Sequence, residues 1–355
     1  MTDYLIVGQG IAGSTLAWAL TERGHSVQVI NNATLPSSSR AAAGMFNPFA
    51  GKKLIRTWLV DELFPFMKEF YTDIQTKLNI NFLHNTDIYR PFVSIEEQNF
   101  HLAKTSEPAI ARYVQTAVNH SKFSDVINNP FDGLSIVQSG WVDVPLMLDV
   151  LKNYFIKLEQ YQETNFDFDA LTINTDTVVY QSKSYRKIVF CDGFQALNNP
   201  FFSWLPFNPV KGQTLTTQIN DYTLTEIVNQ GIWILPLNDL GLCKVGSTYT
   251  WDKLDDEITA EGRAFLEEKL EERLKKNYEV LDQQAGVRPA TDDRRPFVGV
   301  HPEYNNVAIL NGLGTKGVTL APFFVGQLVD FMEFGKEINP EANISRYFPL
   351  YFRSK

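Results

Sequence analysis

The chain has 355 residues, ample for a large buried core and for more than one domain. Its composition, 44% hydrophobic and 21% charged, excludes disorder; a net charge of −9 with no Lys/Arg block argues against a broad polyanion-binding surface and leaves a local basic pocket open. Two cysteines, Cys191 and Cys243, are too few for a disulfide framework or a zinc site and are expected to be small buried apolar residues.

The N-terminus has no basic leader, and no apolar run reaches the roughly 18 residues that a membrane span needs, so the expected location is the cytoplasm. Residues 4–7 read as a buried strand. Gly8-Gln9-Gly10-Ile11-Ala12-Gly13 follows, then a run with helical apolar spacing to Gly24, then a second strand over 27–30. Strand, glycine turn, helix and strand within about thirty residues is the context in which GxGxxG binds a dinucleotide. Gly8 permits the tight turn, Gly10 admits the pyrophosphate, and Gly13 lets the helix lie close to the strand. The helix N-terminus offers N–H groups and a partial positive charge to the phosphates. The second strand ends in Asn31 and Asn32 where many such folds have an acidic residue for the ribose, which leaves NADP formally open. Residues 37–45 (SSSRAAAGM) run from polar to tiny side chains. Ser39 and Arg40 can reach phosphate oxygens, and Ala42, Ala43, Gly44 and Met45 allow a flat ring close to the backbone.

Further segments follow in order: Gly140-Trp141-Val142-Asp143 before a long helix, a strand from Ile188 ending in Cys191-Asp192-Gly193, Pro209-Val210-Lys211-Gly212-Gln213, and Val245-Gly246-Ser247-Thr248-Tyr249. Then come Ala285-Gly286-Val287-Arg288-Pro289-Ala290-Thr291-Asp292 leading to Pro296-Phe297-Val298-Gly299, and Asn311-Gly312-Leu313-Gly314-Thr315-Lys316-Gly317-Val318-Thr319. Taken together these resemble the family of D-amino-acid oxidase, glycine oxidase and sarcosine oxidase. Cys191 stands where the family has a small alanine, and Lys211 where it has arginine.

The resemblance implies an α/β fold (α+β overall), with a Rossmann-like FAD-binding domain interleaved with an antiparallel-sheet substrate domain. The expected boundaries are 1–80, 141–205 and 285–355 for the FAD domain, and 81–140 and 206–284 for the substrate domain. Strand-like stretches at 213–217 and 231–235 would build the sheet over the flavin. The charged stretch 257–276 reads as a helix with a solvated Glu267-Glu271-Lys275 ladder.

The resemblance also implies noncovalent FAD, contacted by the GxGxxG loop, the 37–45 segment, Gly193, Gly312 and the 314–319 loop. Lys316 would sit at the ring's pyrimidine edge or point to solvent. Lys52, Lys53 and Arg56 would lie beside the flavin or begin a solvated helix. Arg288 would hold a substrate carboxylate through two parallel charge-assisted bonds, or else form a structural ion pair with Asp292 or Asp293. Trp233 and Tyr249 would face the substrate or belong to the core. Histidines 25, 84, 101, 120 and 301 are given no catalytic part, because FAD itself carries the hard step. The expected reaction is oxidation of a small amino acid or N-substituted glycine to an imine, with oxygen or another electron acceptor. The alternatives are an FAD-carrying subunit that needs a partner, or an oxidase of a carboxymethylaminomethyl group on tRNA. Nucleic acid is not expected as a partner of so acidic a chain.

Overall fold

Strand β1 (Thr2–Val7) has its last four residues buried without alternation, as a strand covered on both faces requires. In the computed structural model, which describes residues 1–115, 123–237 and 240–353, β1 lies at the centre of a parallel array. Its neighbours are β2 (Val27–Asn31) and the strand Lys183–Phe190, flanked by Tyr161–Glu163 and Val307–Asn311, all parallel. Antiparallel strands at the edges bring this sheet to eight.

Helix α1 (Ile11–Glu22) connects β1 to β2. Every residue from Ile11 to Leu20 is buried, because the sheet, the helix Val144–Lys157 and the C-terminal helix Gly317–Phe334 enclose it. His25, just past the end of α1, packs edge-on to Tyr4 and lies 3.6 Å from the Glu333 carboxylate.

A second eight-stranded sheet has the order Tyr278–Arg288, Val210–Ile219, Leu242–Gly246, Ile232–Pro236, Ile227–Gln230, Ile88–Pro91, Gly133–Ile136 and Val114–Gln115. It contains both stretches read as strands over 213–217 and 231–235. All its pairings are antiparallel except Ile227–Gln230 with Ile88–Pro91. Alternation along these strands separates two faces. Leu215, Ile234 and Val245 pack with Leu266 and Leu270 of the helix Ala260–Glu271. Their neighbours Thr214, Trp233 and Gly246 line a cavity on the other face.

The ladder Glu267-Glu271-Lys275 does not form. The helix stops at Glu271, Lys275 donates to the Ser124 carbonyl, and the ion pairs that do form on the helix include Arg263–Glu267 and Lys269–Glu272. After the helix the backbone pairs with residues 126–128 and Leu274 is buried in the same cluster as Ile127, so the charge periodicity is cut short. Cys191 and Cys243 are buried free thiols. No helix among the described residues is long and apolar enough to cross a membrane, and no cluster of His, Cys, Asp or Glu there could hold a metal.

Candidate active site

The glycine loop is built by close backbone approach. Gly8 has φ +102°, and a Cβ there would lie 2.4 Å from the Cys191 carbonyl oxygen. A Cβ on Gly13 would lie 1.9 Å from the Gly8 carbonyl oxygen, so α1 can start this close to β1 only with glycine. Ser39 Oγ accepts the Ile11 N–H at 3.1 Å, and Asn31 Oδ1 accepts the Gln9 N–H at 2.9 Å. The amide at the end of β2 thus fixes the loop as well as facing the cavity.

The cavity measures about 730 Å³ and runs between the two sheets. Gly8, Gly10, Ile11, Ala12 and Asn31 line it, with Ser39, Arg40, Ala42, Ala43, Gly44, Met45 and Gly193. So do Gly314, Thr315, Lys316, Gly317, Val318 and Thr319 at the first turn of the C-terminal helix, together with Trp233, Tyr249 and Arg288. Gly13 and Gly312 lie behind this wall, Gly312 against Thr291 and Phe297. Arg40, although at the wall, is engaged by the Asp149 carboxylate at 2.6 Å. Lys52, Lys53 and Arg56 are neither at the wall nor at a helix start. The two lysines are exposed in the turn between Phe49–Ala50 and Ile55–Arg56, and Arg56 pairs with Asp61. Among the described residues no histidine reaches the cavity; His120 lies outside them.

Arg288 ends the strand Tyr278–Arg288. Its Nη2 donates to Ser247 Oγ at 2.8 Å, its Nη1 to the Thr248 carbonyl at 3.4 Å, and its Cζ lies 4.8 Å from the Tyr249 ring centre. Among the described residues it has no carboxylate partner, and the ion pair considered with Asp293 is taken by Arg346 instead. Burial pushes its pKa down, yet a guanidinium stays charged. Room for it comes from Gly212 on the adjacent strand, where a Cβ would lie 2.0 Å from Nη2. We expect Gly212→Ala to raise KM for a carboxylated substrate about tenfold with little change in Tm, because the flexible guanidinium yields rather than the backbone. Steady-state kinetics beside a melting curve checks this, and an unchanged KM contradicts it.

A model of the FAD dependent oxidoreductase family (DAO) matches residues 3–331. The chain belongs to this family. FAD is its cofactor, which closes the question of NADP. Among curated relatives, the tRNA 5-methylaminomethyl-2-thiouridine biosynthesis bifunctional protein MnmC of Marinobacter nauticus is 25% identical over 354 residues, covering 92% of this chain and 54% of that protein. The chain therefore spans about half the length of that relative. Among solved structures, glycine oxidase from Geobacillus kaustophilus has a TM-score of 0.76 at 19% identity, with 98% of this chain and 97% of that one covered. Iminodiacetate oxidase (IdaA) from Chelativorans sp. BNC1 has a TM-score of 0.75 at 20% identity, with coverages of 97% and 98%. Both have this fold.

The residues fit FAD. The glycine cradle and the α1 N-terminus suit a pyrophosphate, and the tiny residues 42–44 leave space for a flat ring. Lys316 and the first turn of the C-terminal helix suit the negative charge that the reduced ring carries. Burial, then Arg295 and Arg294, push the Lys316 pKa down.

Three features of this FAD enzyme's site escaped the sequence reading. Lys152, Thr164, Asn165 and Phe166 line the end near Asn31. Lys244, buried in Leu242–Gly246 with its pKa pushed down to about 8 by burial, donates to the Ala42 carbonyl at 3.3 Å and to Gln284 Oε1 at 3.2 Å. It thereby ties the tiny-residue segment to the second sheet.

The third is Asp192. Its carboxylate is enclosed, although the residue as a whole is only half-buried, and it accepts from Asn199 Nδ2 at 2.8 Å and Asn311 Nδ2 at 3.0 Å. Burial raises its pKa to about 6 against those bonds. The folded protein then binds this proton more tightly than the unfolded chain, where the group titrates near 3.8. Its contribution to stability is fullest below about pH 4 and falls as pH rises to about 6, by about 3 kcal/mol. Melting curves across that range should show the wild type losing ground relative to Asp192→Asn. A constant gap would contradict it.

Proposed function

We propose that the chain oxidises the C–N bond of a small carboxylated amine, an amino acid or an N-substituted glycine, to an imine that water then hydrolyses. Bound FAD, held without a covalent link, supplies the hydride acceptor. The observation that carries the reading is Arg288: a half-buried guanidinium without a carboxylate partner among the described residues, steadied by Ser247 and Thr248, at the wall of the cofactor cavity. Taking a cation out of water without a counter-charge costs stability, and a substrate carboxylate offsets that cost with two parallel bonds. Arg288 thus sets the orientation in which the carbon beside nitrogen meets the ring. Trp233 packs over Gly246 and offers the cavity an apolar ring with no hydroxyl to hold a small carboxylate, favouring substrates bulkier and more apolar than glycine.

Part of the proposal is that the second sheet, with residues 81–140 and 206–284, forms the substrate domain. The setting we propose is cytoplasmic, with oxygen or another acceptor taking the electrons.

A second reading is favoured by the likeness to MnmC: the amine is carried on tRNA. Both readings are tested by incubating the holoenzyme with glycine, N-methylglycine, D- and L-alanine, the ring-bearing N-benzylglycine and D- and L-phenylalanine, and tRNA bearing a carboxymethylaminomethyl group, then assaying 2-oxo acid. A 2-oxo acid formed from a free amine supports the first reading. Glyoxylate from the tRNA alone supports the second, and none from any of them sinks both.

A further inference from the structure

The segment after the strand Leu242–Gly246 is unusually well fixed for one that lies at a rim. Lys211 N–H donates to the Thr250 carbonyl at 2.9 Å, and Thr250 N–H donates back to the Lys211 carbonyl at 3.0 Å. Lys211 is itself 1% exposed and ion-paired with Asp255. Residues two apart on extended chain share a side. Tyr249 and Trp251 accordingly stack, with ring centres 6.4 Å apart and planes inclined by 27°.

These two rings are 55% and 57% exposed, and neither belongs to any of the three hydrophobic clusters. They lie outside the chain's own core, on a segment whose backbone is paired to Lys211 through the Thr250 between them. Tyr249 lines the cavity and covers the Arg288 guanidinium. A carboxylate site and an aromatic surface therefore adjoin.

We propose that Tyr249 and Trp251 form a stacking platform for a planar ring carried by the substrate, which is then a carboxylated amine bearing a flat aromatic or heteroaromatic group. The inference rests on Arg288 as the carboxylate anchor. The carboxylate lies inside on Arg288, and the ring lies outside the cavity against exposed aromatic faces. Stacking of this kind is worth roughly tenfold in affinity.

The test uses carboxylates that have no C–N bond at the reacting position, so its outcome does not depend on turnover. Phenoxyacetate and methoxyacetate are titrated into the FAD-loaded protein by calorimetry. The expected result is about tenfold tighter binding of phenoxyacetate, with the ratio falling to within about twofold of unity in Trp251→Ala and in Tyr249→Leu. Equal affinities in the wild type, or a ratio unchanged in Trp251→Ala, would overturn the platform. Failure of the anchor is a separate result: Arg288→Ala would leave both affinities unaltered. A third ligand, uridine 5-oxyacetate, places the ring's source. Binding tighter than phenoxyacetate that depends on Trp251 indicates a nucleobase; weaker binding indicates a small arene.

Discussion

Arg288→Ala is expected to lower kcat/KM for the best carboxylated amine by about 10³-fold, close to 4 kcal/mol of transition-state binding. Two parallel bonds between a guanidinium and a carboxylate are lost in a site sheltered from water, where such contacts are strongest. The loss falls mainly on KM, because the contact exists before the reaction starts, with a smaller share on kcat from poorer aim. Arg288→Lys should restore part of the affinity, since it keeps a charge and loses the fork. The stability result separates this from a folding defect. Among the described residues Arg288 has no carboxylate to neutralise it, so its removal is expected to leave Tm unchanged or higher. Activity lost together with several degrees of Tm would make Arg288 a structural residue instead.

The second large effect lies at the other end of the cavity. Gly13→Ala places a methyl group 1.9 Å from the Gly8 carbonyl oxygen and 3.3 Å from Cys191 Cβ, so backbone must move. We expect a destabilisation of more than about 3 kcal/mol and a protein that purifies with little or no FAD. Gly24→Ala is the comparison. Unlike the helical Gly13 it has a positive φ (+83°), but nothing lies within 4 Å of its added Cβ, so only backbone strain of about 1 kcal/mol is expected, with FAD retained. Visible flavin absorbance per polypeptide reads both variants. Equal FAD content would show that the close approach of α1 to β1 does not form the cradle.

Legibility in the sequence followed the range of the interactions. The unit from β1 to β2 is local: glycines a few residues apart, a buried helix and a strand written in consecutive side chains. Arg288 stood out through its Gly-x-Arg-Pro setting. What held it in place did not, because Gly212, Ser247 and Thr248 reach it only through the register of Val210–Ile219 against Tyr278–Arg288 and of the segment after Leu242–Gly246. Lys244 and Ala42 are likewise 202 residues apart. Arg40 lines the cavity, as a phosphate contact requires, but its ion pair with Asp149, 109 residues away, has no trace in the local sequence. The misplaced ladder has the opposite lesson. Its charge spacing was sound for a helix, but burial of Leu274 outweighs a surface pair worth a few tenths of a kcal/mol. Asp192 is ordinary in sequence, and its raised pKa arises only because the fold encloses it.

The most direct test of the central claim is anaerobic mixing of the holoenzyme with matched amines, N-methylglycine against dimethylamine and an aryl-bearing pair such as N-benzylglycine against N-methylbenzylamine, while following the visible flavin band. The account predicts that a carboxylated member bleaches the band at least about a hundredfold faster than its partner, and that Arg288→Ala abolishes this preference. Equal rates within each pair, or a preference that survives in Arg288→Ala, would contradict it.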